Sequence, residues 1–176
     1  MCDHEWPDKN NILNMFQLSP LELNTKELKT NLLSSNAGAC SIFEGWVRNH
    51  NEGKEVIALE YEAYDELCQK EAEKVFQEAQ EKFRIINCAC VHRIGRLEVG
   101  AIAVWVGVSA PHRDSAFKAC RYIIDEIKTR LPIWKKEYYA NGDSGWVGCE
   151  SDHCPVEGQR PTVYKGPQQD SFLSMK

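Results

Sequence analysis

The run from Ala101 to Val108 constrains this chain more than any other stretch, because nearly every side chain in it is apolar. A strand of that composition has no face to give to water, so it belongs in the middle of a sheet with cover on both sides. The cover is visible in the sequence on either flank. From Asp65 onward, Leu67, Ala72, Val75, Phe76, Ala79 and Phe83 recur at the spacing of one helical face. From about Asp114 to Leu131, Ala116, Phe117, Cys120, Ile123, Ile124, Ile127 and Leu131 do the same. Pro132 ends that second helix, since proline lacks the N–H a helix needs and disfavours helical geometry in the residue before it.

Shorter elements complete the pattern. Met15 to Leu18 reads as a short strand, and Asn24 or Thr25 can cap a helix carrying Leu28, Leu32 and Leu33. Ala39 to Arg48 and Val56 to Tyr64 read as the two strands of a hairpin. In the second, Ile57, Leu59, Tyr61 and Ala63 alternate with Ala58, Glu60 and Glu62, and the polar loop 49–55 with Gly53 joins the pair. Ile85 to His92 is a further strand, and Gly95 to Gly100 a turn-rich connection. Hairpin, helix, two strands and helix make an α+β domain, a mostly antiparallel sheet with packed helices. That domain spans 15–148; residues 1–14 read as a mobile polar segment and 149–176 as an irregular tail.

Charge and cysteine placement exclude several functions. A net charge of −5 and a pI of about 5.6 argue against a nucleic-acid binder. The first residues lack the order of a secretory signal, and the longest apolar run is under half a membrane span, so no membrane role and a cytosolic location are expected. Cys40, Cys68, Cys88, Cys90 and Cys120 fall within apolar periodic segments, where a reduced thiol packs as a small hydrophobe. Cys149, His153 and Cys154 cluster, but without a second pair at zinc-finger spacing, so no metal site is assigned. One basic stretch stands out on the acidic chain: Arg121, Lys128, Arg130 and Lys135 against Asp125 and Glu126. It suits a small anionic ligand or a solvated helix face.

The densest signal is His92-Arg93-Ile94-Gly95-Arg96-Leu97-Glu98-Val99-Gly100, then Pro111-His112-Arg113-Asp114-Ser115-Ala116-Phe117, then Ile124 through Glu137. With Gly45-Trp46-Val47-Arg48-Asn49-His50-Asn51 ahead of them, in order and at matching separations, these strings resemble the large subunit of molybdopterin synthase from about Met15 to Trp146. Read alone, each charged residue has a plainer explanation, and on local sequence that explanation is the stronger one. His112 and Arg113 open a helix, where phosphate can bind but exposed side chains are common. Arg48 ends a strand. Lys128 complements a helix dipole, while Lys135, Lys136 and Glu137 follow the proline stop, where a lysine can meet a partly desolvated surface.

The resemblance implies an α/β-hammerhead fold and a defined chemistry. The family's substrate is cyclic pyranopterin monophosphate, and its sulfur donor is the thiocarboxylated C-terminal glycine of a small ubiquitin-like subunit. Two sulfur transfers give the dithiolene of molybdopterin, with no cofactor required of the large subunit. At the matching positions Lys128 and Lys135 are the catalytic candidates, and Arg48, His112, Arg113, Lys136 and Glu137 join them in binding the pterin phosphate. One point stands without the family. Fifteen residues separate Arg113 from Lys128, about 22 Å along a continuous helix. A small substrate spans that poorly, so the expectation is a homodimer with shared sites, in agreement with the family's heterotetramer of two large and two small subunits. The rival readings are a persulfide-carrying sulfurtransferase using Cys149 or Cys154, and a non-enzymatic adaptor for a ubiquitin-like tail.

Overall fold

The computed structural model describes residues 14–147. They form three helices on two sheets. The first sheet has the strand order β1-β5-β7-β2, from β1 (Asn14–Ser19), β2 (Ala39–Trp46), β5 (Asn87–Arg93) and β7 (Ile102–Ala110). Only the β1–β5 pair is parallel. The all-apolar segment is β7, inside the sheet between β5 and β2, and 103–110 are buried throughout. Helices α2 (Asp65–Lys82) and α3 (Arg113–Arg130) cover one face through Cys68, Ala72, Val75, Phe76 and Ala79 of the first and Ala116, Cys120, Ile123, Ile124 and Ile127 of the second. On the other face Trp105, Ala89 and Leu32 form a separate cluster beside α1 (Thr25–Asn31). That cluster requires Gly107: a Cβ there would meet Trp105 at 2.3 Å and Leu32 at 2.5 Å.

The second sheet runs β3-β4-β8-β9, with β6 also paired to β4, from β3 (His50–Asn51), β4 (Lys54–Ala63), β6 (Gly95–Glu98), β8 (Ile133–Tyr139) and β9 (Ser144–Val147). Val47, Val56, Leu59, Leu97 and Ala103 make its core.

This corrects the expected hairpin. The segments around 39–48 and 56–64 do not pair; β2 lies against β7 and β4 against β6 and β8. The loop instead supplies β3, which turns back on β4 at His50↔Glu55 and Asn51↔Lys54. A bulge between Val56 and Ala58 breaks the expected alternation and leaves Ile57 exposed. The turn-rich stretch after Gly95 is strand β6, and the segment after Pro132 is strand β8. Leu33, Leu67 and Phe117, expected on inner helix faces, are exposed.

Pro132 does more than stop α3. Leu131 before it is extended at φ −79° and ψ 133°, and the Pro132 carbonyl accepts a 3.2 Å bond from the Tyr64 N–H. The chain therefore reverses tightly from α3 into β8, which pairs with β4 from Ala63↔Ile133 onward. The end of α3 and the start of β8 are held side by side.

Candidate functional site

That reversal brings Lys128 and Lys135 to one cavity. It measures about 300 Å3, and its walls include Gly45, Tyr61, His92, Ile127, Lys128 and Lys135. The size is at the small end for ligand pockets. A second cavity of about 400 Å3 shares Lys128 and Ile124 with the first and extends past Phe43 and Cys120 to the exposed ring of Phe117. Lys128 stands between the two, its Nζ 5.9 Å from the centre of the Phe43 ring.

The rest of the basic stretch is neutralised. Arg121 pairs with Asp125 at 2.5 Å and Lys118 with Asp114 at 2.8 Å, each one turn away. Arg130 reaches Glu71, Glu78 and Glu126 and ties α3 to α2. Lys128 has no carboxylate partner among the described residues, so its charge is available to a ligand.

Lys135 is held differently. Strand alternation puts Lys135, Glu137 and Tyr139 on one face of β8. Lys135 Nζ lies 2.9 Å from Glu137 Oε1, while Glu137 Oε2 accepts bonds from Tyr139 at 2.8 Å and Asn51 at 3.0 Å. Glu137 is only 2 % exposed. Burial pushes its carboxyl upward, but the bonds and charge from Lys135, with Tyr139 and Asn51, outweigh burial and hold it below the usual carboxylate range. Arg48 joins through its 3.1 Å bond to Asn51, so Arg48, Asn51, Glu137 and Lys135 form one chain of polar contacts.

The remaining candidates lie elsewhere in the chain. Alternation sends Lys136 to the opposite face of β8, where it sits over the rings of Tyr138 and Trp146. His112 and Arg113 are exposed at the other end of α3, which is unbroken from Arg113 to Arg130. His112 is the N-cap residue but makes no capping bond through its side chain.

Sequence reasoning missed two residues of the cavity wall. His92 is buried, its Nδ1 is 2.8 Å from the Arg93 carbonyl, and its ring stands edge-on to Tyr61 at 4.9 Å. Tyr61 faces Lys135 across the β4–β8 register, and burial first, then Glu137, pushes its phenol up to about 12. The available signal was a histidine at the end of an otherwise apolar strand.

The described cysteines do not suit nucleophilic work. Cys40, expected to pack as a hydrophobe, is exposed, yet desolvation still raises its thiol despite the opposing charge of Lys29. Cys68 and Cys88 are pushed up to about 12 by burial. Cys149, His153 and Cys154 lie outside the described residues.

A family model described as MoaE protein matches residues 18–130. The chain belongs to the MoaE family. It is similar to the molybdopterin synthase catalytic subunit of Thermoplasma volcanium, 42% identical over 130 residues that cover 74% of this chain and 95% of that one. Its identity to the same subunit of Pyrococcus abyssi is 45% over 139 residues, covering 78% and 92%. Among solved structures, molybdopterin synthase from Staphylococcus aureus superposes with a TM-score of 0.72 at 36% identity, covering 76% of this chain and 96% of that chain. MoaE membership assigns the chain to the catalytic subunits of molybdopterin synthase, in molybdenum cofactor biosynthesis. The MoaE neighbours share its α+β class, and no helix among the described residues is long and apolar enough to cross a membrane.

Proposed function

We propose that this MoaE chain converts cyclic pyranopterin monophosphate to molybdopterin, taking two sulfurs from the C-terminal thiocarboxylate of a small ubiquitin-like partner. The observation that carries the reading is the convergence of Lys128 and Lys135, from two different elements, on one cavity. Substrate phosphate and thiocarboxylate are both anions, and a partly enclosed pair of ammonium groups attracts them more strongly than the same pair in water. Lys135, anchored by the ionised Glu137, is the fixed charge that stabilises negative charge developing as the cyclic phosphate opens. Lys128, free of a carboxylate, reaches the reacting groups to bind anion and move protons. Because the sulfur arrives on the partner, the chain needs no nucleophilic cysteine, in keeping with the raised thiols.

The assembly belongs to the same reading. The chain acts as a homodimer within a heterotetramer, in the cytosol, with His112 and Arg113 serving the cavity of the other copy. The unbroken α3 supports this, since about 22 Å separates Arg113 from Lys128 on one chain. So do the exposed Ile42 and Phe117 beside the second cavity, on and near the open edge of β2. Arg48 completes the anion site through Asn51 and Glu137, whereas Lys136 is left off the cavity wall by strand alternation.

Reconstitution with the purified thiocarboxylated partner and cyclic pyranopterin monophosphate tests the reading. Molybdopterin should form, and should still form when Cys149 and Cys154 are both replaced by serine. No product from the wild type would leave an adaptor, and loss in the double serine variant with folding and partner binding intact would establish a persulfide carrier.

A further inference from the structure

Two cations in a cavity recognise an anion, but the third polar group in the wall shows what else the ligand carries. His92 is 8 % exposed and lines the cavity with Tyr61, Lys128 and Lys135. The Arg93 carbonyl 2.8 Å from Nδ1 can only accept, so Nδ1 carries the proton and Nε2 keeps a bare lone pair. Nε2 has no hydrogen bond among the described residues, and the edge-on contact with Tyr61 fixes the ring's orientation. Burial holds the imidazole down to about 4, with the Lys128 charge adding to the depression and the Arg93 carbonyl opposing it. The ring is therefore a neutral acceptor at any physiological pH. Nε2 is open to solvent rather than sealed in the core, so a donor carried by a ligand can take the place of water there.

We propose that His92 is a further ligand-contacting residue of this site, its Nε2 accepting a hydrogen bond from an N–H or O–H donor of the molecule bound between Lys128 and Lys135. This rests on the functional reading above and sharpens it. An ionised phosphate offers acceptors only, whereas a pterin carries amide and amine N–H groups. His92 therefore marks the part of the cavity that takes the ring, and the two lysines the part that takes the charge.

Paired isosteres test it. His92→Asn keeps a donor where Nδ1 sits and removes the Nε2 acceptor; His92→Gln does the reverse. Binding of cyclic pyranopterin monophosphate is measured by calorimetry on the full chain, and turnover on the enzyme assembled with its partner. His92→Asn should weaken binding about tenfold, the worth of roughly one buried hydrogen bond, with KM rising more than kcat falls, while His92→Gln stays near wild type. Equal losses in both variants, or rescue by asparagine instead of glutamine, would show that His92 only braces the Arg93 carbonyl and would overturn the proposal. A wild type that neither binds nor turns over the pterin phosphate overturns the functional reading and this inference together, and is distinct from the variant outcomes. Should either variant fail to fold, 15N spectra of the histidine-labelled wild type decide. An unprotonated Nε2 whose shift moves on adding the pterin phosphate supports the proposal, and a protonated or unmoved Nε2 overturns it.

Discussion

Lys128 and Lys135 share a cavity but not a role in stability, and that difference separates chemistry from folding. Lys135→Ala strips the cation from Glu137, a carboxylate 2 % exposed, and should cost about 1–3 kcal/mol in denaturant melts. Lys128→Ala removes an exposed side chain with no carboxylate partner and should stay within about 0.5 kcal/mol of wild type. Both should nevertheless lose most molybdopterin formation; near-normal turnover in either would take that lysine out of the mechanism. His92 adds a pH signature. Its unfolded form takes up a proton below about pH 6.5, and the folded form does not until about pH 4. Its neutral state thus supports the fold at pH 7, and that contribution is lost progressively as pH falls from about 6.5 towards 4. Between pH 7 and pH 4.5 the wild type should lose about 2–3 kcal/mol more than His92→Gln, read from urea midpoints at the two pH values. An equal acid loss in both proteins would mean the ring is not buried in its neutral form. The lysines were legible through their place after the helix and the proline, and through the family resemblance. His92 and Tyr61 were not, because their position depends on which strand pairs with which.

The three helices and the strands β1, β2, β4, β5 and β7 followed from period and punctuation, but the strands β3, β6, β8 and β9 and the strand partners did not. Alternation in 56–64 shows that a strand exists and says nothing about its neighbour, so the nearest strand in sequence was the natural and wrong partner. The true partners of β4 lie dozens of residues downstream, in segments whose hydrophobic pattern is cut short by Gly95 and Pro132. Burial of β7, by contrast, was plain from composition, since an all-apolar strand has only one place to go. The helix pair shows a further limit: a cation's sequence neighbours do not reveal its spatial partners. Arg130 belongs to a basic stretch that suits an anionic ligand or a solvated helix face, yet it clamps Glu71, Glu78 and Glu126. Arg130→Met should lower stability by about 1–2 kcal/mol, less in high salt because these groups are partly exposed, and leave the KM for the pterin phosphate unchanged. A raised KM with normal stability would return Arg130 to the binding site.

At the scale of the whole molecule, the single chain brings together only part of the expected site. Arg48, Lys128, Lys135 and Glu137 gather around one end of α3, while His112 and Arg113 occupy the other. The helix between is continuous, so no rearrangement within one protomer short of breaking it can join them. In the proposed dimer, each copy lends its helix start to the other's cavity. Mixing Arg113→Ala chains with Lys128→Ala chains, after each is shown to be nearly inactive alone and to exchange subunits, tests that claim most directly. Random reassortment makes about half the dimers mixed, each with one doubly defective site and one intact site, so molybdopterin formation should recover to about a quarter of wild type. Activity that stays at the level of the single variants, with exchange demonstrated, would contradict the shared site and remove either Arg113 or Lys128 from it.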